Sequence, residues 1–258
     1  MRFQMGSLAL GAALCFGGAA LASPFDGTWK LDPARSKLTG DTFTFAKAAK
    51  GFHYSNGSTI AYDFAVDGKD YPTFSDRTVA WTAAGPNAWD AVTKVHGAVV
   101  SKAHRTLSAD GKTLAASYTE YRPNGEVVHE SDVFTRVSGG PGLAGEWKDT
   151  ATKSTADTMK ISTAAAGHYE INFPAFKETM AGTTDGAPVP ISGPTVPPGA
   201  QVAYKAASPA RWTYAITLKG KTYVEGALSV SPDGKTLTRT VWVPGKEAEK
   251  AVEVYSKL

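Results

Sequence analysis

The chain repeats itself, and that restricts its fold more than any single motif. Gly27-Thr28-Trp29-Lys30 returns as Gly145-Glu146-Trp147-Lys148 at an offset of 118 residues, and Asp67-Gly68 with Pro72 returns as Asp185-Gly186 with Pro190 at the same offset. The run from Ser108 to Leu114 (SADGKTL) returns from Ser231 to Leu237 (SPDGKTL) at an offset of 123. The slip between the two offsets falls in Val189 to Ala200, which carries Pro190, Pro194, Pro197 and Pro198 and reads as a lengthened loop in the second copy. Val133-Phe134-Thr135-Arg136 closes the first copy and Val254-Tyr255-Ser256-Lys257 the second. Two copies of one supersecondary unit mean two small domains in tandem, or one larger body shared by both. The expected division is 23–137 for the first domain, 138–142 for a glycine-rich linker and 143–258 for the second.

Within each copy the local signals are strands and tight turns. Asn56-Gly57, Asp110-Gly111, Asn124-Gly125 and Asp233-Gly234 sit between β-rich runs, where a two-residue hairpin is favoured because both turn residues tolerate positive φ. Long helical periodicity is absent. Seven to ten short strands per copy are expected, and closing them into a barrel removes the exposed edges of a meander. The fold class is therefore all-β, two tandem antiparallel up-and-down β-barrels, with a single larger barrel as the rival.

Met1 and Arg2 precede an apolar stretch from Leu8 to Leu21 that ends in a small-x-small site, Ala20-Leu21-Ala22. This pattern reads as a signal peptide over residues 1–22, too short for a membrane span, and places the mature chain in the periplasm or the medium with no transmembrane anchor. Cys15 is the only cysteine and lies inside that stretch, without the small preceding residue of a lipobox. The mature chain is thus expected to hold no disulfide or thiolate site, and its stability must come from a core. Hydrophobic residues at 42% and aromatic residues at 10% suffice for one. The net charge is +3, with Lys and Arg interspersed among Asp and Glu, which argues against nucleic acid as a partner.

The run Gly27-Thr-Trp-Lys-Leu-Asp-Pro-Ala-Arg-Ser-Lys37, with Asp67 to Pro72 and Ser108 to Leu114, resembles the opening and turns of small secreted bacterial lipocalin-like (calycin) domains. The second copy departs after Lys148, where Asp149-Thr150-Ala151 replaces the Leu-x-Pro continuation. The resemblance implies a ligand cavity. It also implies that the tryptophan of G-x-W plugs one barrel end under a basic side chain of the last strand, pairing Trp29 with Arg136 and Trp147 with Lys257 as structural residues. A cation over an indole contributes about 0.5–2 kcal/mol.

Pairing strands across two-residue turns sets out one face of the first copy, because residues opposite each other keep a constant index sum. Asp110-Gly111 sets Leu107 opposite Leu114, Arg105 opposite Ala116 and Ser101 opposite Glu120. Asn124-Gly125 sets Glu120 opposite His129 and Tyr118 opposite Ser131. A Gly97-Ala98 turn sets Asp90 opposite Arg105. One face thus gathers Asp90, Lys94, Ser101, Arg105, Tyr118, Glu120, His129 and Ser131. In the second copy the same face is apolar, with Val224, Gly226, Leu228, Val230 and Leu237, so it is read as inward. Trp212, Tyr214, Ile216, Leu218 and Trp242 alternate on the opposite face of that copy and also need burial.

The inward reading makes Arg105, Tyr118, Glu120, His129, Ser101 and Lys94 the ligand-binding candidates, with Glu120, His129 and Tyr118 as catalytic candidates. Glu120 would hold His129 as acid or base, Arg105 would bind a carboxylate and Tyr118 would polarise a carbonyl. The bland alternative is that these are cross-strand pairs on a solvent face, each worth about 0.2–1 kcal/mol. Ser101, Glu120 and His129 do not make a triad, since the carboxylate would stand between the other two. The five histidines show no metal-ligand spacing, and no metal or cofactor is expected. Trp81, Trp89, Tyr204 and Trp212 occupy matched positions and read as core or rim. The leading expectation is a protein that binds a small, mostly apolar or amphipathic ligand in a barrel cavity. The others are an isomerase, cyclase or hydratase working by acid and base groups in the first barrel, and an envelope module that contacts a protein partner.

Overall fold

A computed structural model describes residues 23–258; the expected signal peptide lies outside them. Among the described residues the chain is all-β, with three single-turn 3-10 segments. The first copy supplies β1 (Gly27–Leu31), β2 (Thr42–Ala48), β3 (Gly51–Ser55), β4 (Ala61–Phe64), β5 (Asp70–Pro72), β6 (Arg77–Gly85), β7 (Ala88–Val95), β8 (Ala98–Leu107), β9 (Thr113–Tyr121) and β10 (Val127–Ser138). The second supplies β11 (Gly145–Lys153), β12 (Thr158–Thr163), β13 (His168–Phe173), β14 (Glu178–Thr183), β15 (Asp185–Ser192), β16 (Ala200–Ser208), β17 (Arg211–Leu218), β18 (Lys221–Val230), β19 (Thr236–Trp242) and β20 (Ala251–Lys257).

These strands form two antiparallel barrels, but the barrels do not coincide with the repeats, because the copies exchange their first strands. Barrel I is the ten-stranded order β4-β3-β2-β11-β10-β9-β8-β7-β6-β5, nearly closed, with its seam between β4 and β5. Barrel II is closed and consists of β1 with β12 to β20. Strand β1 pairs with β12 (Trp29 opposite Met159) and with β20 (Trp29 opposite Lys257), whereas β11 lies between β10 and β2. The division at 137/143 is therefore a boundary of the sequence repeat, and the strand Gly27–Leu31 lies outside the barrel that the rest of its copy builds. The linker gives the physical reason. Between Ser138 and Gly145 the chain is only long enough for a hairpin turn, so β11 must lie antiparallel to β10. That slot belongs to a first strand; β11 occupies it, and the matching slot beside β20 goes to β1.

The exchange reverses the expected tryptophan–cation pairs. The Arg136 guanidinium stands 4.1 Å from the Trp147 ring centroid, and Lys257 Nζ stands 5.0 Å from that of Trp29. Both indoles are fully buried, and each donates its Nε1–H four residues back, Trp29 to Phe25 O (2.8 Å) and Trp147 to Leu143 O (3.0 Å). Arg136 also donates to the carbonyls of Gly111, Gly142 and Ala144. The glycine of G-x-W has a geometric cause. A Cβ on Gly27 would meet Lys257 Cε at 2.6 Å and one on Gly145 would meet Arg136 Nη1 at 2.6 Å, and both glycines have positive φ, 142° and 151°.

Loop lengths decide which side chains face inward, because one residue of slip moves a whole strand to the other face. The Asp110-Gly111 turn keeps the expected register, with Arg105 opposite Ala116 and Ser101 opposite Glu120. The next turn is a three-residue loop, Pro123-Asn124-Gly125, closed by Arg122 N–H to Glu126 O at 2.9 Å. Glu120 therefore pairs with Val128, Tyr118 with Glu130, and His129 with Thr119. The turn before β8 uses His96 and Gly97, at φ 50° and 80°, and a bulge follows at Thr93/Lys94, so Asp90 pairs with His104 instead of Arg105. In barrel II, Trp212 shares a rung with Leu228 and Tyr214 with Gly226, so the two apolar sets expected on opposite faces point into one core.

Candidate functional site

The barrels meet mouth to mouth, and a single cavity of about 920 Å³ runs from the interior of one into the other. Contacts ring the junction. Phe74 meets Tyr223 edge-on with centroids 4.9 Å apart, Arg77 Nη2 donates to Thr195 O at 3.0 Å, and Ser58 Oγ donates to Pro244 O at 3.1 Å. Thr42 Oγ1 donates to Glu249 Oε1 (2.9 Å) and accepts from Lys246 Nζ (2.8 Å). The buried Arg122 pairs with Asp157 and Glu130 and lies over the ring of Phe176. The proline-rich segment joins this rim: Thr195, Val196 and Pro197 line the cavity.

Lobe I, inside barrel I, is walled by aromatic rings, among them the stacked pair Tyr54 and Tyr62 (4.9 Å) and Trp81, which is 2% exposed. Arg105 enters it, its guanidinium 4.8 Å from the Trp81 ring and 5.6 Å from that of Tyr118. Asp41, Asp132 and Asp149 line the same lobe. Burial pushes all three carboxyls above the ordinary aspartate value; for Asp149 the neighbouring charges of Asp132 and Asp41 add to the rise, and the Thr152 hydroxyl, donating to Oδ2 at 2.8 Å, opposes it. Burial likewise pushes the Tyr118 hydroxyl up to about 12, against the pull of Arg105, so it remains a donor at neutral pH.

Lobe II is largely aliphatic, with Met180, Ile191, Ile216 and Val224, and its cation is held by partners within the barrel. Arg239 Nη1 donates to both oxygens of Glu253 (3.0 and 3.2 Å), and its Nε donates to the Tyr214 hydroxyl at 3.1 Å. The two arginines sit on equivalent rungs of the two barrels, projecting from opposite strands: Arg105 pairs with Ala116, and Leu228 with Arg239.

Of the residues singled out in the sequence, Arg105 and Tyr118 line this cavity together. Glu120 and Ser101 form their own pair, the hydroxyl donating to Oε1 at 2.7 Å, and burial raises the Glu120 carboxyl. His129 is on the outer face, exposed, with Nδ1 3.3 Å from Thr119 Oγ1, so the expected Glu120–His129 acid–base pair is not formed; the extra residue of the β9–β10 loop separates them. Lys94 is bound to the Asp70 carboxylate at 2.8 Å. His53, His96 and His104 pair with Asp63, Asp76 and Asp90, and no cluster of His, Cys, Asp or Glu fit to hold a metal occurs among the described residues. No helix among them is long and apolar enough to cross a membrane. Asp149, Asp132 and the tyrosine pair were not anticipated. A signal for Asp149 was present in the repeat, which has Leu31 at the matching position.

Fold and site together define a protein of two strand-exchanged antiparallel β-barrels that share one cavity. Comparisons with protein-family models, curated proteins and solved structures find no match.

Proposed function

We propose that the protein, exported to the periplasm or the medium, holds one small, mostly apolar or amphipathic molecule in the cavity between its barrels. The observation that carries this reading is the cavity itself: about 920 Å³, walled mainly by aromatic and aliphatic side chains, with charged groups placed in both barrels, Arg105 and three aspartates in lobe I and Arg239 and Glu178 in lobe II. Small-molecule sites share its concave shape and predominantly apolar wall, in volumes of about 300–1,000 Å³. Arg105 is the group in lobe I suited to an anionic substituent, since planar guanidinium recognises carboxylate through two parallel bonds. The acid–base enzyme reading rested on Glu120 beside His129 and loses that support with the register.

Native mass spectrometry of the protein purified from its own host, before and after denaturation, tests this. A single released compound per chain is expected, and enlarging Ile216 to Trp in lobe II should abolish its retention. If the mass is unchanged by denaturation and the protein also takes up no alkyl amphiphile added in solution, the reading fails.

A further inference from the structure

Lobe I holds two buried polar atoms of opposite character without a well-formed hydrogen bond. Asp149 is 8% exposed and its Oδ1 accepts no well-formed hydrogen bond, while the Nη1 atom of the half-buried Arg105, itself shielded from solvent, finds no acceptor. Leaving such groups unpaired disfavours folding, so each asks for an explanation.

The repeat provides the control. Asp149 pairs with Phe134 as Leu31 pairs with Tyr255, and Arg105 pairs with Ala116 as Leu228 pairs with Arg239. Leu31 and Leu228 are 9% and 1% exposed, so the fold accommodates leucine at both places. Lobe I has an anion and a cation there instead. Lobe I also gives Arg105 Nη1 no carboxylate partner of the kind that Glu253 gives Arg239 Nη1 in lobe II. Asp132 takes the rung position of Glu253, since Ala116 pairs with Asp132 as Arg239 pairs with Glu253, but its side chain is one methylene shorter. Asp132 lies within electrostatic reach of both Arg105 and Asp149 and so places them at one end of the cavity. A metal ion does not suit the acidic side, since no ligand cluster converges there among the described residues.

We infer, building on the cavity reading above, that lobe I recognises a zwitterionic head group. Its anionic oxygen would accept from Arg105 Nη1, its ammonium would donate to Asp149 Oδ1, and its apolar body would run into lobe II. A plain carboxylate satisfies Arg105 and leaves Asp149 orphaned; a plain amine does the reverse. Each charge-assisted bond gained is worth about tenfold or more in affinity.

The test uses three probes of nearly equal alkyl length, dodecanoate, dodecylamine and N-dodecylglycine, titrated calorimetrically below their micellar range into the mature protein. N-dodecylglycine should bind about tenfold or more tighter than either other probe. Asp149→Leu, which copies Leu31, should abolish its advantage over dodecanoate, and Arg105→Leu, which copies Leu228, its advantage over dodecylamine. Asp149→Asn replaces the leucine variant if that fails to fold, as judged by thermal melting. Equal binding of the three probes, or an Asp149 variant that keeps the preference, overturns the head-group inference while the cavity reading stands. Binding of none of them by the wild type overturns both.

Discussion

Trp29→Ala should loosen the barrel built by the second copy and leave the barrel of its own copy closed. Trp29 is 0% exposed, and truncating a buried tryptophan to alanine costs about 3–5 kcal/mol through lost transfer energy and an unfilled cavity. The Lys257 ammonium over the ring adds about 0.5–1 kcal/mol, which brings the loss to roughly 3.5–6 kcal/mol for the part of the barrel II core that holds Trp29. At 1.4 kcal/mol per factor of ten, amide exchange through opening of that barrel should accelerate about a thousandfold. Hydrogen exchange followed by mass spectrometry on peptic peptides reads this directly. The rise should fall in Met159–Ile161 and around Tyr255, whose strands flank β1, and spare Phe43–Phe45 and Phe134. Trp147→Ala should give the mirror result, with the rise around Phe43, Phe45 and Phe134, because β11 lies between β2 and β10. If Trp29→Ala accelerates exchange around Phe43 and Phe134 instead, the first strands are not exchanged and the assignment of barrels is wrong.

Two further outcomes are expected. His129→Ala should shift thermal stability by no more than about 0.5 kcal/mol, since the ring is exposed on the outer face; a loss of 2 kcal/mol or more in a melting experiment would place it inside the barrel after all. Asp149→Asn should stabilise the protein increasingly as pH rises. Burial raises the folded carboxyl above 3.8, so the native state holds this proton more tightly than the unfolded chain, and stability declines as pH climbs from about 4 through the raised value. The variant keeps an acceptor for Thr152 without that decline, so melting temperatures of the two proteins should diverge between acidic and neutral pH, and a constant difference across that range would refute the argument.

The internal repeat, the turn dipeptides and the absence of helical periodicity determined that this chain is all-β and built twice over. A tryptophan under a closing basic residue was what the resemblance implied, and the pairs it gave, Trp29 with Arg136 and Trp147 with Lys257, are exchanged in the structure. Arg105 and Tyr118 were legible as cavity residues because the Asp110-Gly111 turn sets a register that counting reproduces. His129 was misplaced because a dipeptide does not tell a two-residue loop from the three-residue loop Pro123-Asn124-Gly125, and one residue inverts the face. Asp149 belongs to the same strand as the plug, so its role depends on which barrel that strand enters. Strand pattern is nearly the same in both copies and carries no information on which first strand fills which slot. The hairpin across Ser138 to Gly145 decided that, through a distance the chain cannot otherwise span. The joining of the two barrel mouths into one cavity rests on contacts such as Phe74 with Tyr223 and Arg77 with Thr195, between residues well over a hundred positions apart, and only the tertiary structure brings them together.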